Sequence, residues 1–447
     1  MLDAENKEVV CLELREKFLK FALPSIASMW AFSLYTMVDG VFVARGVGET
    51  AMAAVNLSAP FTSLVFMVGI LLATGTSTII SIALGRGELE EARNSFSQNL
   101  AVTVCVSLAL TVLVLLNLER AALFLGATPD TLAYVKEYVG TIAVFAVFFT
   151  VSYNLEVQVK ANGAPQVSTV GVASCAVMNV ALDALFVMGF GWGVWGAALA
   201  TGLAQVTSTA VFLVYFLTHR ERLRLGRFRW NLRLYRRIVP LGLSEGLNEL
   251  SNGLVIFLFN HTILRCIGEQ ALPAYTIISY VNTLVLMTMT GTAQGMQPLV
   301  SYALGAGRRR DCHRLLQYGL AAAALFAGLS FALGELGAPL MVGAFLDRSS
   351  AVFAYSVSAL QMYGWSFLVV GFNVVFAAFF TAVERPVPAF AISLSRSLVL
   401  LAVSLLTLPA LLGDRGIWYS TLASELGCLC ITAVCAAVYF RGQRPDA

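Results

Sequence analysis

Three polar residues stand where the surrounding sequence is almost wholly apolar. Asp39 lies near the end of the first apolar stretch, and Asn179 and Asp183 lie four positions apart in a later one. On a helix, positions four apart share a face. A carboxylate at the centre of a membrane helix costs roughly 2.5–3.5 kcal/mol on insertion scales, so its retention points to a function. Two carboxylates and an amide, with a hydroxyl if one is near, offer hard oxygen donors to a small cation or a shared site for a proton. The competing reading is a buried acid that caps a neighbouring break in the backbone.

A second group follows. Glu245, Glu249 and Asn252 fall at i, i+4 and i+7 and form a single helical stripe. They suit attraction of a cationic substrate or carriage of a proton; alternatively, Glu245 lies close enough to the membrane surface to be wet. Gln294 and Gln297, three apart on one face, either line a path or hydrogen-bond between helices. Arg396 reads as a structural partner for a carbonyl or an acid rather than as a substrate ligand. No aromatic residue is assigned to a binding box. The sequence offers no nucleophile–base arrangement and no metal cluster at membrane depth, so an enzyme is not expected. Its eight cysteines lie mostly in apolar runs without a Cys-x-x-Cys, and its three histidines are scattered. Neither structural zinc, a disulfide framework nor a redox motif is indicated.

The elements that position these residues must sit in lipid. The chain of 447 residues is 58% hydrophobic and 12% charged, with a mean hydropathy of +0.78. A soluble chain would carry about 25% charge. Disordered, collagenous and nucleic-acid-binding classes are excluded, the last because a net charge of +3 is too small for a phosphate-seeking surface. The segment 1–20 mixes acids with Lys7, Arg15, Lys17 and Lys20 and lacks the pattern of a signal peptide, so the first apolar segment is expected to stay as a membrane helix.

Apolar length and turn signals predict twelve spans, near 21–42, 52–82, 95–117, 134–157, 166–189, 194–217, 238–263, 272–303, 316–336, 352–381, 387–411 and 417–440. Of the 29 Lys and Arg, 22 then fall on the side of the termini and six on the other, with Arg396 inside a helix. That bias predicts both termini in the cytoplasm.

The chain also repeats itself. In a register offset by 220, Ser81-Ile-Ala-Leu-Gly-Arg-Gly87 overlays Ser301-Tyr-Ala-Leu-Gly-Ala-Gly307, and Gly48-Glu49 overlays Gly268-Glu269. An even number of helices per half keeps both halves in one orientation, related by an axis along the membrane normal, with a substrate path between them. The expected organisation is a six-helix lobe over 1–217, a basic cytoplasmic linker over 218–237 and a second six-helix lobe over 238–447. The Arg-rich linker reads as topology obeying the positive-inside rule, with an anionic-lipid contact as the alternative. In the 220 register Asp39 meets Phe259, and at 223 Asp183 meets Leu406, so the acids are expected to be peculiar to the first half.

These residues resemble the multidrug and toxic compound extrusion (MATE) transporters. The resemblance rests on Leu23-Pro24, on Tyr35-Thr-Met-Val-Asp39-Gly-Val-Phe-Val-Ala44, on Gly48-Glu-Thr-Ala-Met-Ala-Ala54, and on Gly295-Met-Gln-Pro298 followed by Gly305-Ala-Gly307. It runs over essentially the whole chain and is nearest the bacterial drug-exporting branch.

The resemblance implies an all-α integral membrane protein of twelve helices in two lobes, acting as an antiporter in the bacterial plasma (inner) membrane. It would exchange Na+ or H+ for amphipathic, often cationic and aromatic drugs, as a monomer and without a cofactor. It implies a cation site at Asp39, Asn179, Asp183 and Thr201, a bend of the first helix at Pro24, and a helix-7 glutamate for which Glu249 is the nearer match. One departure stands out: the 220 register puts Ser244 opposite Pro24, with Pro240 four positions away. The alternative within the same superfamily is a flippase for lipid-linked precursors. A flippase should show extra helices or a cationic cavity, whereas this chain buries mostly acids.

Overall fold

The computed structural model of the chain describes residues 2–219 and 222–442, and their side chains apart from those of 2–12 and of Glu49. The side chains of Lys7, Cys11, Glu49, Arg220 and Arg444 therefore lie outside the described residues. Among the described residues all regular structure is helical. The first lobe holds α1 (Leu2–Gly46), α2 (Glu49–Arg86), α3 (Leu89–Leu116), α4 (Leu132–Ala161), α5 (Pro165–Asp183, extended by a π-helical turn Ala184–Gly189) and α6 (Gly193–Thr218). The second holds α7 (Tyr235–Cys266), α8 (Leu272–Gly305), α9 (Arg309–Leu336), α10 (Phe353–Gly364 and Phe367–Ala382), α11 (Pro386–Leu394, a π turn Ser395–Val399, then Leu400–Leu412) and α12 (Asp414–Arg441).

Ten of these helices are long and apolar enough to cross a membrane, or eleven with the two parts of α10 taken as one span. The remaining helix, α7, is long enough at 32 residues but carries Glu245, Asn248, Glu249 and Asn252. Its polar stripe lowers its mean hydropathy, and that stripe faces the interior of the protein rather than lipid. The chain is thus a multi-pass membrane protein.

The duplication is visible in backbone geometry. Helices α3 and α9 start and end at numbers that differ by 220, and the short connecting helices Leu118–Phe124 and Ala338–Gly343 start in the same register. The repeated glycines do the same work in both halves. Gly48 and Gly268 have φ of 99° and 107°, and Gly87 and Gly307 have 80° and 72°, a region in which side chains are strained. One feature breaks the pattern expected from sequence: the span predicted over 352–381 is bent by 41° between Gly364 and Phe367. Pro24 lies inside α1, whose helical structure continues on both sides of it.

The lobes meet at the end that carries the termini. A Cβ on Gly85 would strike the backbone of Tyr302, and one on Gly305 would strike Ile82. These are two-fold-related contacts, since Gly85 with Gly305 and Ile82 with Tyr302 both obey the 220 register. Likewise Gly75 abuts Ile238 and Gly242 abuts Leu71, while Gly295 abuts Ala22 and Gly291 abuts Ile26. Because Gly75 and Gly295 differ by 220 but Ala22 and Ile238 by 216, α1 and α7 are in a register of 216. Pro24 therefore stands opposite Pro240, not Ser244, and the departure noted from the sequence disappears. The four missing residues are one helical turn that α7 has and α1 lacks between this level and their far ends. Linker residues 222–231 are strapped along α3 by side-chain amides: Asn94 bonds the backbone of Arg229 and Gln98 that of Asn231.

Gly75→Val and Gly242→Val each place side-chain atoms where an opposing backbone lies. Such overpacking costs about 1–3 kcal/mol, so each variant is expected to shift the lobes toward separation at this end by roughly tenfold. Spin labels at Arg86→Cys and Arg310→Cys, flanking the contact, measure the shift. Unaltered distance distributions in both variants contradict this packing account.

Candidate functional site

Asn179 and Asp183 project from one face of α5, and neither has any exposed surface. Helix α6 brings Thr201 against them: Asn179 Nδ2 donates to Thr201 Oγ1 at 3.4 Å, while that hydroxyl donates to the Ala197 carbonyl at 3.0 Å. Helix α1 brings Asp39 into hydrogen-bonding reach of Asp183. The structure thus gathers the four residues named from the resemblance, drawn from three helices. Directly after Asp183 the helix widens into the π turn Ala184–Gly189. Such turns recur at functional sites.

Four oxygens in this pocket are buried and have no hydrogen-bond donor: Asp39 Oδ1, Asn179 Oδ1 and both Asp183 carboxylate oxygens. An unsatisfied buried acceptor costs about 1–3 kcal/mol, and more when charged. A small hard cation, or protons on the carboxylates, would satisfy all or part of the set. Tyr35 and Tyr138 lie close to these carboxylates, and Gln205 lies close to Tyr35. None of the three was singled out from the sequence, because an aromatic or amide in a membrane helix has many structural uses.

A larger cavity lies between the lobes, with about 1440 Å³ of space free of protein atoms, its open mouth included. Met29, Phe32, Phe66 and Ile70 form an apolar wall on the first lobe, and Leu286 and Met287 one on the second. Asp39 and Asp183 do not line it. Tyr35, Cys175 and Gln205 do, and Tyr35 lies one turn from Asp39 on α1. The oxygen cluster and the cavity lining are thus distinct sets of residues.

Glu245, Glu249, Asn252 and Gln294 all face the cavity, and Gln297 lines a small recess beneath it. Glu245 Oε2 accepts from Thr74 at 2.9 Å, and Asn252 donates to Glu249 Oε2 at 3.4 Å. Arg396 sits in the π turn of α11 and pairs with Glu425 at 3.4 Å. Glu425 is 4% exposed and also accepts from Asn373 at 2.8 Å. The second lobe thus has a buried acid of its own, on a helix with no matching acid in the first lobe, while the register positions of Asp39 and Asp183 remain Phe259 and Leu406.

Lys160, counted from the sequence among charges on the terminal side, lies in the last turn of α4 but is 2% exposed and bonded to Glu156 at 2.8 Å. The i,i+4 spacing of Glu156 and Lys160 was the signal that would have revealed it. The two buried cations at the cavity are therefore each matched to a carboxylate. Among the described residues no salt bridge reaches Glu245 or Glu249. The cavity keeps two carboxyl groups with no ion-pair partner among the described residues.

Comparison with known proteins gives a consistent likeness. The profile of the MatE family matches twice, over residues 24–185 and 245–406. Multidrug export protein MepA of Staphylococcus aureus (strain bovine RF122 / ET3-1) is 24% identical over 433 residues, covering 95% of this chain and 94% of MepA. MepA of Staphylococcus saprophyticus is 23% identical over 428 residues, with the same coverage. Among solved structures, a multidrug resistance MATE family transporter of the MOP superfamily in an outward-facing conformation superposes with a TM-score of 0.90 at 20% identity, covering 96% of each chain. A MOP superfamily transporter from Pyrococcus furiosus gives 0.90 at 20%, covering 97% of each. At these identities the structural likeness is one of fold.

If the orphaned oxygens form a cation site, Na+ should stabilise the folded protein. At a Na+ concentration a hundred times its dissociation constant the gain is about 2.7 kcal/mol. Thermal unfolding in Na+ against an equal concentration of a large organic cation measures it. The gain should vanish in Asp183→Asn and shrink in Asn179→Ala; a gain that survives Asp183→Asn places Na+ elsewhere.

Proposed function

The chain belongs to the MatE family, and from that membership we propose that it exports amphipathic organic cations across a bacterial plasma membrane in exchange for Na+ or H+. One observation carries the reading: four unpartnered buried oxygens lie beside, but apart from, an apolar cavity whose free carboxylates are Glu245 and Glu249. The first compartment suits an inorganic ion and the second an aromatic or alkyl cation. The matched charges of Lys160 and Arg396 leave no free cation for a pyrophosphate among the described residues at the cavity, which favours drug export over lipid-precursor flipping.

Because the carboxylates of Asp39 and Asp183 do not line the cavity, coupling would pass through a shared element. Helix α1 is that element: Asp39 reaches the ion pocket, while Tyr35, Phe32 and Met29 line the cavity. Pro24 lies one turn beyond them, where the missing N–H removes a helical hydrogen bond and eases bending. Ser28 and Thr169 both donate to the Pro24 carbonyl at 2.9 Å, so the bend-prone segment is held by α5 as well. Ion or proton occupancy draws Asp39 toward Asp183, bends α1 at Pro24 and reshapes the cavity wall, releasing cargo. With the termini in the cytoplasm, the glycine contact at their end would close the inner side and leave the cavity to open outward. Two of the four donors, Asn179 and Thr201, do not titrate, which favours Na+ over a proton as the ion that uses the whole set.

Reconstituted vesicles with separately imposed Na+ and pH gradients test the reading. Asn179→Ala should lower Na+-driven export about tenfold, the effect of losing about 1.4 kcal/mol from one ligand, and proton-driven export much less. Asp39→Asn and Asp183→Asn should insert, bind drug and fail to exchange it. Normal export by both aspartate variants together with a dead Glu249→Gln would locate coupling in the second lobe and overturn the assignment.

A further inference from the structure

Beneath the cavity the lobes are joined by side-chain hydrogen bonds as well as by packed backbone. Lys160 Nζ donates to Gln294 Oε1 of the opposite lobe at 2.9 Å, and Gln294 Nε2 donates to the Tyr153 hydroxyl at 3.3 Å. Lys160 also donates to Glu156 Oε1 at 2.8 Å, and Ser168 donates to the same oxygen at 2.9 Å. The Ser168 hydroxyl lies 3.3 Å from that of Ser28, which donates to the Pro24 carbonyl. A continuous chain thus runs from the proline of α1 through Glu156 and Lys160 to α8. Glu156 faces the cavity, and Lys160 lines the recess below it with Glu245 and Gln297. Gln297 is 6% exposed and its Nε2 has no partner, so this recess has a donor to spare.

We propose that Lys160 is a tethered competitor of the organic cation, an inference that rests on the export reading above. An exporter must hold cargo more tightly in one state than in the other, because only differential affinity can drive release. While the lobes meet at this end, the Lys160 ammonium has both Glu156 and Gln294 as acceptors and denies Glu156 to cargo. When the lobes part there, Gln294 moves away with its lobe. Lys160 loses one acceptor, and a cation arriving from that side takes its place at Glu156, beside Glu245. Closure returns Gln294, restores Lys160 to the pair and expels the cation toward the open side. Lys160 is a positioning and affinity-setting residue and is not among the oxygens of the ion pocket.

The test uses the full chain in lipid nanodiscs and tetraphenylphosphonium as the cationic probe. Lys160→Met should bind the probe about tenfold tighter, or 1.4 kcal/mol, and release it more slowly in vesicles, while Glu156→Gln/Lys160→Met should return to the wild-type affinity or below. Gln294→Leu, which leaves every charge in place, should move the Arg86→Cys and Arg310→Cys label pair toward separation as Lys160→Met does. The labels are placed in a background without the native cysteines. Unchanged probe affinity in Lys160→Met, or a double variant as tight as the single one, overturns the competitor role. Unchanged label distances in both Lys160→Met and Gln294→Leu overturn the inter-lobe joint. A wild type that binds no organic cation refutes the export reading instead, and the label distances still decide the joint.

Discussion

A carboxylate surrounded by hydrocarbon has to be satisfied by a cation, a proton, hydrogen-bond donors or water. This chain meets that constraint in three ways. Glu156 and Glu425 are matched to Lys160 and Arg396. Glu245 and Glu249 accept from Thr74 and Asn252 and face an open cavity, where water or a positively charged guest can reach them. Asp39 and Asp183 have neither a cation nor a full set of donors. The first solution is complete within the protein; the other two leave room for solutes of different size. Function follows from which carboxylates the fold leaves open.

The rest of the structure keeps the two open sites apart and lets them communicate. The oxygen cluster and the cavity are lined by different residues, so an inorganic ion and an organic cation need not compete for the same ligands. Helix α1 touches both. At the terminal end, glycines on α2, α7 and α8 bring opposing backbones into contact, a closeness that any side chain would forbid. That contact is symmetric and carries Pro24 and Pro240 to equivalent positions, so the capacity to bend is duplicated although the ion pocket is not.

Much of this was legible in the sequence because lipid makes polarity expensive. Asp39, Asn179 and Asp183 could be found as exceptions in apolar runs, and the repeated glycines gave the two-fold plan. Thr201 was reachable only through the family resemblance, since a threonine in a membrane helix is unexceptional on its own. Lys160 escaped because it sits at the end of α4, where a loop charge and a buried one look alike. Glu425 escaped because a lone acid in the last helix has no partner nearby in sequence: Arg396 is on another helix. The register of α1 against α7 could not be read either. An extra turn in α7 shifts it by four positions, and only the contacts of Gly75 and Gly295 with their opposing helices reveal where the turn lies. The break in α10 falls at Gly364-Trp365-Ser366, where a glycine and a serine together weaken a helix.

The central claim is that the oxygen pocket and the cavity are distinct sites linked through α1. Calorimetric titration of tetraphenylphosphonium into the protein, with and without saturating Na+, tests it most directly. Na+ should weaken binding of the organic cation by a coupling of about 1–3 kcal/mol, roughly 5- to 150-fold. In Asp183→Asn that antagonism should vanish while binding in the absence of Na+ persists. Equal antagonism in wild type and Asp183→Asn would mean that Na+ and the organic cation meet at the cavity carboxylates instead, and would contradict the account.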